Sequence, residues 1–437
     1  MSGPFEGDSM QSPLILKTSA AALLAIGSIL GESSPNWAST LHVPSQYPTI
    51  QNGIDAAAFG DSVLVAPGIY TEYEIRGSQS SCAFLKDGVK VIAENGPQAT
   101  TIDLIAITGF SRSAIFAKAL SSDATVIDGF TIIGRDRGHG ALIALCERVK
   151  VRNCIFTDFT GGAILAHENA SIIDCRFVDC VADNAGAIWH TSGHINLIGC
   201  EFRLSGNTAV YLDQIGSTAS ARVENCQFIE NWSNGGAGGL VIATAFGGAV
   251  VKGCLFKGNV NYGTGGGGLG LGQGSKIVED CIFIENQALG PNGSGGGLYG
   301  GGYVDMIVRG NTFYKNSKTA NPAPGAAVSL VFASKFENNI VVGSQGGPAV
   351  EALDGAHSVC NVYWDNPEGI GIPLDQTDRE VDPMFCDPSA YDLFLQENSP
   401  CLPQNSLGCG LVGALGEGCG PVSVQSTSWG AIKVRYR

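Results

Sequence analysis

The chain is short of charge. Of its 437 residues, 15% are Asp, Glu, Lys or Arg, against about 25% in an ordinary globular domain. Basic side chains are scarcest, 25 against 40 acidic ones, for a formal charge of −15. That balance excludes a protein that grips nucleic-acid phosphates, because no basic surface is left to release counterions. Long apolar runs are missing too. The best of them, Ala20 to Leu30, is about half of the ~20 residues a membrane-crossing helix needs. Apolar residues at 3.6-residue spacing over ten or more positions are also lacking, which excludes a helical solenoid. Disorder is a poor fit in turn, since 44% of the chain is hydrophobic and its length allows a large core. What is abundant is glycine, 61 residues, without the three-residue period of collagen.

Lys17, the apolar run behind it and the small and polar residues that follow read as a secretory signal peptide within residues 1–39. Glu6 and Asp8 make the extreme N-terminus acidic, which is relieved if translation starts at Met10. The cleavage point stays open between Gly31-Glu32-Ser33 and Ala38. Export to the cell surface or beyond gives the fourteen cysteines an oxidising compartment in which to pair.

Self-similarity organises the rest. VRNCIF (151–156), IIDCRF (172–177), LIGCEF (197–202), VENCQF (223–228), VKGCLF (251–256), VEDCIF (278–283) and VRGNTF (308–313) align, with Cys154, Cys175, Cys200, Cys226, Cys254, Cys281 and Asn311 at the fourth place. Phe130 precedes the series and Asn339 and Asn361 continue it, at intervals that drift between 21 and 30 residues. The cysteine and the phenylalanine two places later share one strand face. The apolar residue three places before the cysteine has the wrong parity for an uninterrupted strand. A corner at Asn153, Asp174, Gly199, Asn225, Gly253, Asp280 and Gly310, types that tolerate a left-handed conformation, restores both to the interior. A second kernel precedes the first by 12 to 17 residues: GGAI (161–164), AGAI (185–188), NTAV (207–210), GGLV (238–241), GGLG (267–270), GGLY (296–299) and GAAV (325–328). Several short strands per repeat, turning the same way, predict an all-β parallel β-helix, a solenoid with one coil per repeat.

These kernels, with the FxxN pairs Phe228–Asn231, Phe256–Asn259, Phe283–Asn286 and Phe313–Asn316, resemble the right-handed parallel β-helix superfamily that contains pectate lyases and pectin methylesterases. They also resemble the repeats of polymorphic outer-membrane proteins. The resemblance covers roughly residues 42–420 and implies right-handed coiling, in keeping with the chirality of parallel crossovers. It divides the chain into an N-terminal cap with the first coils (40–110), the body (111–364), an irregular C-terminal cap (365–420) and a basic tail (421–437) that ends in Lys433, Arg435 and Arg437. Within 48–72, which is similar to the N-terminal cap of bacterial β-helix proteins, Ile50, Ile54 and Ala57 share a helical face behind Pro48. Cys386, Cys401, Cys409 and Cys419 suggest two local disulfides in the C-terminal cap, with the pairing open. The six ladder cysteines are expected as buried thiols. Cys82, Cys146, Cys180 and Cys360 fit neither set. Asn231, Asn259, Asn286 and Asn316 are expected at coil corners, bonding to the rungs above and below.

Chemistry is harder to place. The QDTL-, DFIFG- and LGRPW-like motifs of pectin methylesterases are missing, so that activity is rejected. Pectate-lyase-like chemistry needs calcium on an acidic cluster, for which Asp158 and Asp179 on adjacent rungs are the candidates. No other cofactor is implied. A second candidate is a glycan-contact patch of His167, Trp189, His190, Tyr211, Asp213 and Trp232, where a histidine–acid pair beside aromatic rings suits a sugar. The expected function is an exported or surface scaffold that binds polysaccharide. The alternatives are a polysaccharide lyase or glycoside hydrolase working in a groove, and a structural adhesin. Oligomeric state is not indicated.

Overall fold

The computed structural model describes residues 38–419, apart from 108–110, 119, 136–139, 146–147, 246, 302–305, 320–324, 332–333 and 354. The signal segment up to Trp37, His139, Cys146 and the basic tail lie outside the described residues.

Three main strands per coil wind the chain into a parallel β-helix, and four coils add a short fourth, from Trp232–Ser233 to Ser317–Lys318. One face is built from the segments that follow the glycine kernel, such as Ile164–Ala166 and Val328–Leu330. A second comes from the segments before the cysteine, such as Arg148–Arg152 and Lys276–Glu279. The third comes from the Cys-x-Phe segments, such as Ile155–Phe159 and Leu255–Lys257. Each strand pairs in parallel with its counterparts in the neighbouring coils. The third face is a 13-stranded sheet. The first two fuse into one of 23 strands, because Ile188–Ile198 and Val210–Glu224 run straight through the corner between them.

The corner expected before each cysteine is present. Asn153, Asp174, Gly199, Asn225, Gly253, Asp280 and Gly310 all have φ between 51° and 67°. A second left-handed corner follows at Asp158, Asp179, Leu204, Glu230, Gly258, Glu285 and Lys315. Left-handed backbone costs a non-glycine residue roughly 1–2 kcal/mol, so these bends persist only because the stacked interior fixes them.

That interior is a set of ladders. Phe156, Phe177, Phe202, Phe228, Phe256, Phe283 and Phe313 stack with centroids 4.6–4.9 Å apart and planes within 12°, each contact adding about 0.5–1.5 kcal/mol beyond burial. Beside them the six cysteines are buried and outside any disulfide. Cys226 Sγ donates to Glu224 O in its own rung and to Leu197 O in the rung before, and Cys254 and Cys281 repeat the pattern. Asn311, Asn339 and Asn361 continue the column, each passing an amide proton to the next side-chain oxygen. The carboxylate of Asp378, an acceptor only, closes the chain of donors.

The FxxN asparagines form a second ladder. Asn259 Nδ2 donates to Phe228 O and to Asn286 Oδ1, both at 2.8 Å, and its own Oδ1 receives two N–H groups of Asn231. Cys180, outside both cysteine sets, belongs to this ladder: its Sγ reaches Phe156 O at 3.8 Å, as the Nδ2 of Asn231 reaches Phe202 O.

The N-terminal cap is the helix Ile50–Ala56, with Thr49 as N-cap. Ile50, Ile54 and Ala57 are buried on the first coil. Gly53 lies so close to Val63 and Val43 that a Cβ there would stand 2.8 Å from Val63 Cγ1.

Three expectations need correction. The glycine kernels at 238–241, 267–270 and 296–299 slip by one residue. Leu240, Leu269 and Leu298 take the inward place of Ile164, while Val241, Gly270 and Tyr299 face out, since strand parity exchanges faces with each single step. The disulfides are Cys360–Cys409 and Cys386–Cys419; Cys360 comes from the solenoid and Cys401 stays a buried thiol. The C-terminal segment is also more than an end cap. It folds back along the third face, where Phe385, Leu393, Leu395, Leu402 and Val412 form a second apolar core with Leu255, Ile282, Ile284, Tyr314, Ile340, Val342 and Val362. Tyr391, whose hydroxyl donates to Glu285 at 2.7 Å, and Asn338, which donates to Cys409 O and Leu411 O, pin this strap.

Candidate functional site

The C-terminal segment covers the third face from Leu255 to Val362, and among the described residues no such core covers the outer sides of the other two; the first of them carries an apolar column. Strand parity sends every second residue outward there, and register stacks those residues into a column of Phe84, Phe116, Ile143, Leu165, Trp189, Tyr211 and Val241. The Arg76 guanidinium, 4.9 Å above the Phe84 ring, closes its N-terminal end. A groove of about 480 Å³ runs beside this column. Ile143, Leu165 and Trp189 form its apolar wall, and the turns at Thr160–Gly162 and Ala182–Ala185 rise along it. Lining residues come from four successive coils, so the groove follows the solenoid axis for roughly 14 Å at one strand spacing per coil.

Arg112 stands in this groove with its Nε buried and without a hydrogen-bond partner. It sits on the outward side of Ser111–Lys118, paired with Ser80 of the coil before. A guanidinium N–H shut away from water and left unpaired is costly. Sequence reasoning missed Arg112. Simple strand alternation gives no signal for it, since Ala114, between Arg112 and Phe116, is fully buried in the core.

The expected contact residues separate. Trp189 and Tyr211 are neighbours in the outward column, half-buried, with Trp189 on the groove wall. His190 has the opposite parity and leaves the patch. It is fully buried, aligned with Ala166 and Leu212, and its Nε2–H donates to Glu168 O at 2.6 Å. Burial holds its pKa down at about 4, so the ring is neutral. His167 bonds through Nδ1 to Thr191 Oγ1 at 2.9 Å, and Asp213 receives Thr244 Oγ1 at 3.5 Å. Both lie beyond the C-terminal side of Trp189, and neither lines the groove. Trp232 packs against Gly206, where a Cβ would stand 2.4 Å from its ring, and it too is outside the groove. The histidine–acid pair is therefore not assembled. Asp158 and Asp179 are the left-handed corner residues of adjacent coils. Among the described residues, no three His, Cys, Asp or Glu side chains converge on a metal position.

A family model described as the right-handed β-helix region matches residues 113–268 and 185–370. The chain belongs to the right-handed β-helix family. No curated protein sequence matches this β-helix significantly. Among solved structures, pectate lyase Pel9A is similar to it at 15% identity and a TM-score of 0.46, over 87% of this chain and 96% of that one. The alginate lyase AlyGC follows at 12% identity and 0.40, over 88% and 59%. The A-module of the Azotobacter vinelandii mannuronan C-5 epimerase AlgE6 follows at 14% and 0.39, over 75% and 92%. Among the described residues, the groove of this β-helix offers an apolar and aromatic wall, the guanidinium of Arg112, and the polar groups of Thr160, Asp183 and Asn184.

Proposed function

We propose that this β-helix is an exported scaffold that binds a polysaccharide bearing acidic groups, with the chain lying along the solenoid axis in the groove. The observation that carries the proposal is the pairing of an aromatic wall at Trp189 with the orphaned Nε of Arg112. Sugar faces stack on aromatic rings, and a guanidinium fork accepts a carboxylate or sulfate through parallel N–H donors. The two disulfides fit an oxidising compartment, in agreement with export. Binding is favoured over turnover because, among the described residues that line the groove, Arg112 is the one basic group and no histidine accompanies it.

The test is a glycan panel of acidic and neutral polymers, read by affinity electrophoresis and calorimetry. Trp189→Ala is expected to weaken binding about tenfold, roughly 1.4 kcal/mol, for every polymer that binds. Arg112→Gln is expected to weaken acidic ones selectively. Unchanged affinity in both variants would overturn the proposal. Ultraviolet absorbance of unsaturated products on the same panel separates binding from a lyase, and a rise in that signal would replace the scaffold with the enzyme.

A further inference from the structure

The cysteine column has a metric property that its role in the core does not use. Cys154, Cys175, Cys200, Cys226, Cys254 and Cys281 are all buried, and none of them is in a disulfide. Each Sγ stands in the same relation to its own rung, 3.2–3.5 Å from the carbonyl two residues back. From Cys200 onward each also points at a carbonyl of the preceding coil, at 3.4–3.5 Å. Equivalent placement on successive coils separates neighbouring sulfurs by one coil repeat, which the adjacent phenylalanine stack fixes at 4.6–4.9 Å. Two metal–thiolate bonds of about 2.3 Å laid end to end span about 4.6 Å.

We propose that the thiol ladder is a binding column for a soft divalent cation that forms linear bis-thiolates, one ion seated between the sulfurs of two successive coils. The mercuric ion is the representative of that class. Charge decides against the alternatives. Two thiols release two protons to water and form two metal–sulfur bonds to one dication, with no redox change, so the bridge is neutral among phenylalanine rings. A monovalent soft ion between two thiolates leaves a net negative charge in the same apolar interior, which is expensive. Zinc requires four ligands in a tetrahedron, and each gap between coils supplies two. Six thiols form three such pairs, Cys154–Cys175, Cys200–Cys226 and Cys254–Cys281. A bridge across two coils ties them together, so loading also stabilises the stack.

The test uses the full chain with both disulfides intact and no reductant, titrated with mercuric chloride, silver nitrate and zinc chloride in parallel. X-ray absorption of the mercury sample is expected to show two sulfurs at about 2.3 Å and no lighter ligand, with a raised thermal midpoint; zinc is expected not to bind the column, and silver only more weakly. Replacing both terminal cysteines, Cys154→Ala with Cys281→Ala, leaves four contiguous thiols and is expected to lower the two-sulfur capacity from three ions to two. Replacing alternate members, Cys175→Ala, Cys226→Ala and Cys281→Ala, sets the remaining thiols two repeats apart and is expected to abolish that signature. If the alternate variant does not fold, the terminal one decides. Single-sulfur coordination, unchanged two-sulfur capacity in the folded variants, uptake only on unfolding, or silver binding as tight as mercury would each overturn the proposal.

Discussion

Asparagine 259 offers the sharpest probe of how the coils are held. Its side chain is fully buried and makes four hydrogen bonds, two given and two received, of 2.8–3.1 Å. Asn259→Leu keeps the branching at Cγ, with somewhat larger volume, and removes all four. Phe228 O loses its side-chain donor, and the backbone N–H and one Nδ2–H of Asn231 lose their acceptor. Each polar group stranded in the interior costs about 1–3 kcal/mol. Part of that is recovered by the leucine's apolar contacts, so the net loss should be roughly 3–5 kcal/mol. Asn366 supplies the internal control. It makes the same kind of bonds, to Val341 O and from Ser344 N, but is only half-buried. Water can replace its amide, and Asn366→Leu should cost about 1 kcal/mol. Urea unfolding gives the totals, and native-state hydrogen exchange at the Asn231 amide gives the local effect, which should accelerate in Asn259→Leu alone. Equal costs at the two positions, or an unchanged exchange rate at Asn231, would refute the ladder as the source of stability.

Acid should weaken the fold through His190. Its folded pKa of about 4 lies below the ordinary 6.5, so the unfolded chain binds a proton that the folded chain refuses. The contribution is complete above pH 6.5 and is lost as pH falls towards 4, by roughly 3 kcal/mol in all. A urea midpoint that does not move between pH 7 and pH 4.5 contradicts the buried, neutral ring. Reduction of the disulfides should free the strap before the solenoid. The loop closed by Cys360–Cys409 spans 49 residues, and losing it is worth roughly 4 kcal/mol in the chain-entropy account. Proteolysis after treatment with a dithiol should therefore cut first between residues 382 and 419 while far-ultraviolet dichroism stays unchanged; first cuts in the Cys-x-Phe coils would contradict this.

Some of this molecule is written in single repeats and some is not. The left-handed corners at Asn153 to Gly310, the inward Cys-x-Phe face and the carbonyl-binding asparagines each follow from a few neighbouring residues. A corner needs a residue type that tolerates positive φ, and a strand face needs only parity. Repetition then amplifies a weak local signal into a fold. The partners of Cys360, the strap over Ile284 and Val342, the inward turn of His190 and the convergence of Arg112 with Trp189 depend on residues brought together from up to some hundred positions away. A single-residue shift of register, as at Leu240, reverses which side chain meets solvent without changing composition or pattern. Local chemistry thus determined that the chain would coil. Only the packed stack decided which outer surfaces the C-terminal strap covers and which side chains share the groove.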